Sequence, residues 1–410
     1  RSDLAEKRAS LEDPSVPISS ARIIDIFGLG GASASGVNVT IENALGVSAI
    51  WAAVNFLSGT MAGLPLNLYD RTGDGRNKSK SRLASMLHYN INEQTSSFAW
   101  RKQMFERVLT SGRSYTLIVR GDREPIRYLW PLENSLVKPR RDSMGRKTYD
   151  VGTGSDAKTY AASEIIDMSF MMCEDGVNHR GPITTNKNTI GMGIAATAYG
   201  SRFFNNGGVP PFVLMGNFQS ASALNRASAD LQEAVKAATK DSRLALTLPD
   251  NHKLEKLGVD PEKSQLVDLQ KFLIEEYARI YQLPPIFLQD LSHGTFSNTE
   301  QQDLHLVKHT IKRWVEQLEQ ELNLKLFGWQ EHEQYVELNM DGLLRGDYKT
   351  RMEGNAKAIQ TAQLTPNEGR RMDNRPDLPG GDQLMIQGAT VPLGSQPVLS
   401  VPLGDPNDEA

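Results

Sequence analysis

The 410-residue chain has a single cysteine, Cys173. No intrachain disulfide can form, and the composition fits a reducing compartment. There is also no excess of positive charge. The 45 lysines and arginines face 49 acids, a net charge of −4, which argues against tight binding to nucleic acid by neutralisation of many phosphates. With 34 glycines and 20 prolines, the chain is near background for both, which excludes collagen and low-complexity fibres. Residues 1–20 carry charges throughout and hold no apolar run, so no secretory segment is expected there. The one long uncharged stretch, between Glu42 and Asp70, is interrupted by Asn43, Asn55, Ser58, Gly59, Thr60, Gly63 and Pro65. A buried helix followed by a strand explains it better than a membrane span, and no membrane partner is expected.

Motifs that carry chemistry are also missing. No GxxxxGK[ST] loop is present, so nucleotide hydrolysis by the usual route is excluded, and there is neither a GxSxG elbow nor a CxxC pair. Gly28-Leu29-Gly30 begins like a dinucleotide fingerprint, but Ser33 stands at the third glycine position and no strand and helix frame it. His305 and His309 have the i, i+4 spacing at which two imidazoles can share a metal. They lack an adjacent glutamate base, since Leu306 follows His305, and two histidines on the solvated side of a helix are the simpler reading. A metal-dependent hydrolase built on them is the enzyme alternative. Cys173 lies near His179 in sequence, yet a core cysteine is favoured over a nucleophile, because free cysteine is among the most buried residue types. Glu275-Glu276 and the Glu331/Glu333 pair read as solvated faces. No catalytic residue, metal or cofactor is expected.

At 45.4 kDa the chain is large enough for about two to three domains. Residues 1–40 read as an arm. A helix is expected at Val47–Met61, with Ile50, Val54, Leu57 and Met61 on one face. Strand Pro65–Tyr69 and the turn Thr72-Gly73-Asp74-Gly75 follow. The basic residues Arg76, Lys78, Lys80 and Arg82 then read as a solvated edge. A helix over Ser97–Thr110 and strand-like segments Ser114–Arg120, Pro125–Pro131 and Leu136–Pro139 complete an α+β region reaching about residue 180. Thr189–Phe204 is a small-residue helix suited to close packing. An insert follows: strand Phe212–Met215, helix Ala223–Thr239, and strands near Leu244–Leu248 and Leu254–Leu257. Helix Ser264–Tyr281 carries an apolar stripe of Leu266, Leu269, Leu273, Tyr277 and Ile280, closed by Pro284-Pro285. A third long helix, Thr299–Leu326, shows a near-heptad seam of Leu304, Val307, Ile311, Val315, Leu318 and Leu322. Helices resume from Asp347. The end of the chain repeats Val391-Pro392-Leu393-Gly394 as Val401-Pro402-Leu403-Gly404, and its lack of apolar surface reads as disorder.

Taken in order, these segments form a recognisable series. AGLPLNLYD comes first, then GRSYTLIVRGDREPIRYLWPLENSLVKP, EIIDMSF with GVNHRGPI, and GSRFFNNGGVPPFVLM. FLIEEYARIYQLPPIFLQDLSHGTFSNTEQQ and ELNLKLF complete the series. From about Ser10 to about Asp382 the chain resembles the portal proteins of tailed bacteriophages, of the siphophage type, with Glu275–Gln302 the most specific piece. The resemblance implies a ring of copies, most often a dodecamer, at one capsid vertex: a head-tail connector through whose channel double-stranded DNA is packaged and ejected. The partners it implies are the terminase large subunit, the major capsid protein or scaffold, and a head-tail adaptor protein. It places the chain in the virion, with assembly in the host cytoplasm.

The fold it implies is α+β, of wing, stem, clip and crown. By order, 1–40 is the arm, 41–188 the wing, 189–208 a stem helix, 209–262 the clip and 263–283 the second stem helix. Residues 284–340 supply a tunnel loop and a long wing helix, 341–382 the crown and 383–410 the tail. Two site expectations follow. Asp268, Glu275 and Glu276, a slight acidic excess over Lys271 and Arg279, would line the channel and keep DNA from sticking. Ser292, His293, Gly294, Thr295, Phe296 and Ser297 would form a tunnel loop that follows a passing duplex without fixing it.

Overall fold

A computed structural model describes residues 33–385 except 73–74, 122–125, 155–156, 206–211, 216–219, most of 221–252, 257–262, 291–298, 331, 345–347 and 374. The expected arm before residue 33, most of the insert, the tunnel loop and the tail after Met385 lie outside the described residues. The chain divides into two units, Arg1–Asn339 and Met340–Ala410.

Along the first unit, helix α1 (Ser48–Gly63) leads into strands β1 (Leu66–Thr72) and β2 (Gly75–Lys78). Helix α2 (Ser97–Ser111) precedes β3 (Arg113–Val119), β4 (Tyr128–Leu132), β5 (Val137–Arg141), β6 (Lys147–Val151), β7 (Lys158–Ala161) and β8 (Ile165–Ser169). The short pair β9 (Met171–Met172) and β10 (His179–Arg180) leads to helix α3 (Lys187–Asn205). Strands β11 (Phe212–Met215) and β12 (Lys253–Lys256) pair antiparallel before helix α4 (Lys263–Tyr281). The long helix begins as α5 (Thr299–His305), widens to a π-helix at Leu306–Ile311 and continues as α6 (Lys312–Phe327), after which β13 (Gln334–Leu338) closes the unit.

α1 forms because Ile50, Val54, Leu57 and Met61 recur at helical spacing, and all four are buried. No helix among the described residues is long and apolar enough to cross a membrane. α1 ends at Leu64, whose carbonyl accepts from the guanidinium of Arg101 on α2. Burial of that guanidinium lowers its pKa to about 10. Ser96 caps α2 by accepting from the Ala99 amide at 3.1 Å. α2 stops at Gly112, which has φ +87°; a Cβ there would lie 2.5 Å from the Gly181 Cα.

Among the described residues, all the paired strands are antiparallel. β1 is the middle strand of β13-β1-β2, so residues 334–338 return to the start of the unit, a closure the sequence reading did not anticipate. The β1–β2 register pairs Thr72 with Gly75, as the turn chemistry required. Arg76 and Lys78 are exposed on β2, a solvated edge as expected, and Arg76 pairs with Glu337 and sits 4.7 Å over the Tyr69 ring. The sheets β4-β3-β8 and β5-β6-β7 share a core of Tyr115, Leu132, Val137, Tyr149 and Ile165. A helix side thus packs against short sheets, which is the α+β class.

The long helix is the largest departure from expectation. The widened turn at Leu306–Ile311 rotates its apolar seam relative to a straight helix. Val307, Ile311, Val315, Leu318 and Leu322 are buried, whereas Leu304 is 42% exposed. Cys173 is also corrected. It lies on the β9–β10 hairpin, half-buried, its amide bonded to the Asn178 carbonyl at 2.8 Å, and no core closes over it there.

α6 is fixed to the sheets by polar contacts. Gln317 donates to the Ser169 carbonyl at 2.9 Å, and Lys325 donates to the Ala162 carbonyl at 2.5 Å. Glu321 accepts from the Asp167 amide at 2.8 Å, and burial raises its pKa. The carboxylate of Asp167 is buried between Lys147 Nζ at 2.5 Å, Tyr149 Oη at 2.7 Å and the imidazole of His179 at 3.2 Å. Burial alone would raise the Asp167 pKa; His179 and Lys147 outweigh it and hold the carboxyl at about 2.

The second unit holds helices α7 (Tyr348–Gln360) and α8 (Pro366–Met372). α8 starts in a capping box, in which Thr365 accepts from the Glu368 amide and Glu368 accepts from the Thr365 amide. Asn367, fully buried, fixes the loop after it: its side chain donates to the Leu378 carbonyl and to Asp382, both at 3.0 Å, and accepts from the Leu378 amide at 2.9 Å.

Asp167→Asn leaves the Lys147 ammonium half-buried without its counter-charge. A loss of about 3 kcal/mol is expected in urea unfolding at pH 7. A carboxyl depressed to about 2 contributes stability that is fully present above about pH 4 and is lost as pH falls toward 2. The variant's stability should therefore fall less steeply across that window than the parent's.

Candidate functional site

The candidate site lies on α3 and α4, which flank residues 206–262. α3 is rich in glycine and alanine, and the structure shows what the small residues are for. A Cβ on Gly191 would overlap the Ser33 hydroxyl, and one on Gly193 would overlap the Tyr277 hydroxyl from α4. Leu266 of α4 comes to 3.7 Å from the Cβ position of Gly200. The missing side chains allow backbone and aromatic ring to meet. Tyr277 is only 2% exposed, its hydroxyl has no hydrogen-bond partner among the described residues, and burial pushes its pKa up to about 12.

Burial grades along the pair. Ile190 and Ala196 near the start of α3 are buried, as are Leu273, Tyr277, Ala278 and Tyr281 near the end of α4. Toward residues 206–262, Tyr199 on α3 and Val267 and Phe272 on α4 are exposed. Of the apolar stripe expected on α4, Leu273 and Tyr277 are buried, while Leu266, Leu269 and Ile280 are half-buried. Apolar side chains that no other described residue covers therefore gather on the part of the helix pair nearer residues 206–262.

The acids expected to line a channel are all on α4. Asp268 is exposed on the outer half. Glu275 and Glu276 lie nearer the anchored end, and both turn to Arg279, Glu275 at 3.3 Å. One arginine thus offsets part of the two carboxylates, which the composition of the helix could not reveal. Residues Ser292, His293, Gly294, Thr295, Phe296 and Ser297 fall outside the described residues.

The anchored end of α4 is tied down unusually well. Tyr281 donates to the Leu109 carbonyl of α2 at 3.2 Å. Gln282 then adopts φ +55°, a left-handed conformation that costs free energy for a non-glycine residue. Two residues of the long helix hold it there. Thr310, fully buried in the π-turn, donates to the Gln282 carbonyl at 2.5 Å, and Arg313 donates to the Gln282 side-chain oxygen at 2.7 Å. Arg313 itself lies 4.5 Å over the Trp314 ring, and its burial lowers its pKa. Sequence reasoning missed this joint. Pro284-Pro285 indicated the end of the helix, but no residue pattern signals a left-handed glutamine or a π-turn.

The chemical alternatives fare poorly. The rings of His305 and His309 lie 4.5 Å apart, tilted at 46°, on an exposed helix surface. Among the described residues, no group of three or more His, Cys, Asp or Glu is placed to hold a metal ion. His179 is turned inward to Asp167 with its side chain fully buried, in the polar joint beneath the sheets. Nothing here supports a hydrolase.

A helix pair of this kind, an α+β body and a separate helical unit can be compared with known proteins. The family model described as phage portal protein matches residues 48–374, most of the chain. The chain belongs to the phage portal protein family and has the portal function. A probable portal protein of Streptomyces phage phiC31 is 28% identical over 372 residues, covering 87% of this chain and 80% of that one. In fold, the chain resembles the crystal structure of an HK97-family phage portal protein from Corynebacterium diphtheriae, with a TM-score of 0.56 at 14% identity, covering 75% of this chain and 96% of that one. It also resembles a chain from the neck of a native gene transfer agent particle computed with C12 symmetry, with a TM-score of 0.57 at 13% identity, covering 90% and 98%.

Gly193→Ala drives a methyl group into the Tyr277 hydroxyl and should cost about 1–3 kcal/mol of stability. Tyr277→Phe removes a hydroxyl that has no hydrogen-bond partner among the described residues and should be near neutral or stabilising. Combined with Tyr277→Phe, Gly193→Ala should cost measurably less than it does alone; chemical denaturation of the four proteins checks this.

Proposed function

We propose that this portal protein acts as a closed ring, twelvefold in number, set at a capsid vertex of the virion, with double-stranded DNA passing along its axis during packaging and ejection. The observation that carries the reading is the outer half of the α3–α4 pair, where Tyr199, Val267 and Phe272 are exposed beside small-residue backbone. Such a surface is what a neighbouring copy would bury, and heterologous contacts that close give rings. The twelvefold number is supported by the native gene transfer agent neck, computed with C12 symmetry, of which the C6 symmetry used for the empty particle's neck is a subgroup. In this reading α3 and α4 are the stem, residues 209–262 the clip, residues 41–188 with the long helix the wing, and residues 341–382 the crown.

A conduit that must let DNA slide cannot hold it through many phosphate contacts, because each would add affinity by counterion release. The near-neutral chain meets that need. Asp268, Glu275 and Glu276 are assigned to the channel wall, with Arg279 moderating the last two, and residues 292–297 to a tunnel loop. In a ring, one exposed acid per subunit becomes a full circle of charge. The chain does no chemistry of its own in this scheme. The terminase large subunit supplies the work of packaging, a head-tail adaptor protein takes its place afterwards, and the major capsid protein or scaffold surrounds the ring. Assembly takes place in the host cytoplasm.

Negative-stain microscopy of the purified protein, analysed for rotational symmetry in end-on views, tests the ring directly. Val267→Asp with Phe272→Asp should abolish rings while leaving the circular dichroism of the monomer unchanged; intact rings in that variant would refute the stem interface. Lys substitutions at Glu275 and Glu276 should slow DNA packaging or ejection several-fold in assembled particles, and unchanged rates would remove these acids from the channel wall.

A further inference from the structure

The second unit carries an open groove of about 460 Å³ between α7, α8 and the loop 375–385, a volume within the range of sites that take small ligands or a few peptide residues. Its apolar lining includes Met352, Ile359, Leu378 and Met385. The groove wall is built and held. Besides its bonds to Leu378 and Asp382, Asn367 donates its amide to the Gly381 carbonyl at 2.8 Å. A Cβ on Gly381 would overlap the Asn367 side chain, so the Gly380-Gly381 wall can approach only because it is glycine. Around the mouth, Leu378, Leu384 and Met385 are all exposed, and these are side chains a soluble surface ordinarily keeps few of.

We infer that this groove is the docking site for the chain's own Val391-Pro392-Leu393-Gly394 segment, with its repeat Val401-Pro402-Leu403-Gly404 as a second, competing copy. Three observations select this occupant. The chain leaves the described residues at Met385, which lines the groove, so the tether is attached at the mouth. Only residues 386–390 intervene before Val391, and such a tether reaches at most about 20 Å, ample to turn back. The segment matches the groove chemically: two aliphatic side chains with no charge, and a proline that fixes φ and so lowers the entropy lost on docking. The lining residue Asn355 brings an amide suited to bond the peptide main chain. A short tether gives an effective concentration in the millimolar range, so even a contact too weak to hold a free peptide is populated within the chain. Two copies of the motif raise the occupancy of one groove without requiring a stronger contact.

The test uses the full-length chain with Cys173→Ser. Leu393→Cys is paired either with Met352→Cys, in the groove lining, or with Lys357→Cys, exposed on the same helix outside the lining. Under a mild oxidant the Met352 pair should form an intrachain disulfide at least tenfold faster than the Lys357 pair. Equal rates, or a disulfide formed chiefly between two chains, would overturn the assignment, the second pointing to a neighbouring copy as occupant. Independently, Leu393→Asp with Leu403→Asp should speed amide hydrogen exchange in residues 352–360 and 378–382 several-fold while the exchange of α1 and α2 stays unchanged. Unaltered exchange at 352–360 and 378–382 would also refute it.

Discussion

The buried carboxylate of Asp167 is the contact on which the first unit's arrangement depends. It lies where three elements meet. β8 supplies it, β6 brings Lys147 and Tyr149, and β10 brings His179. Its own amide is held by Glu321 of α6, which also lies 3.6 Å from Lys325. A charge in such a place is costly; Lys147 and Tyr149 both bond one carboxylate oxygen, and the His179 imidazole faces the other at 3.2 Å. The cost makes the joint selective, because only one register of strands and helix brings these groups together. From this joint α6 runs back through the π-turn to Gln282, so the same helix that closes the sheets also holds the end of α4. Sheet packing and the orientation of the helix pair are thus linked through one rod.

This linkage explains why the helix pair can have two unlike halves. The inner half is held by aromatic side chains and close backbone approach, with Tyr277 against Gly193 and Tyr281 against α2. The outer half keeps apolar side chains in the open. In the proposed ring a neighbouring copy buries that half, and the firmly held inner half sets the direction in which each copy presents it.

Helix positions were readable from the sequence wherever periodicity was strong and the chain local. α1, α2, α3 and α4 all lie within a few residues of where spacing placed them, because propensity, burial and terminators agree there. What escaped was non-local or non-repeating. β13 pairs with β1 across more than 260 residues of chain, and no local pattern announces such a partner. The π-turn adds no unusual residue, so the seam of the long helix looked continuous and Leu304 was wrongly included. Cys173 was misjudged because residue type suggested burial, whereas its position in the loop between the short strands β9 and β10 decided otherwise. On α4 the types of residue were evident, but the pairing of Glu275 and Glu276 with one arginine depended on side-chain geometry.

The outer margin of β13 has one further consequence. Asn323 of α6 takes the Val336 amide at 2.7 Å and donates to the Val336 carbonyl at 3.1 Å, and Glu319 takes the Leu338 amide at 2.7 Å. The side chains of a helix thus occupy the positions a further strand would have used. At the other margin of the same sheet, β2 is four residues long and bears Arg76 and Lys78. Neither margin can template another chain's backbone. Copies crowded together at high local concentration are therefore kept from zipping into open-ended fibrils through this sheet, which leaves helical surfaces free to govern association.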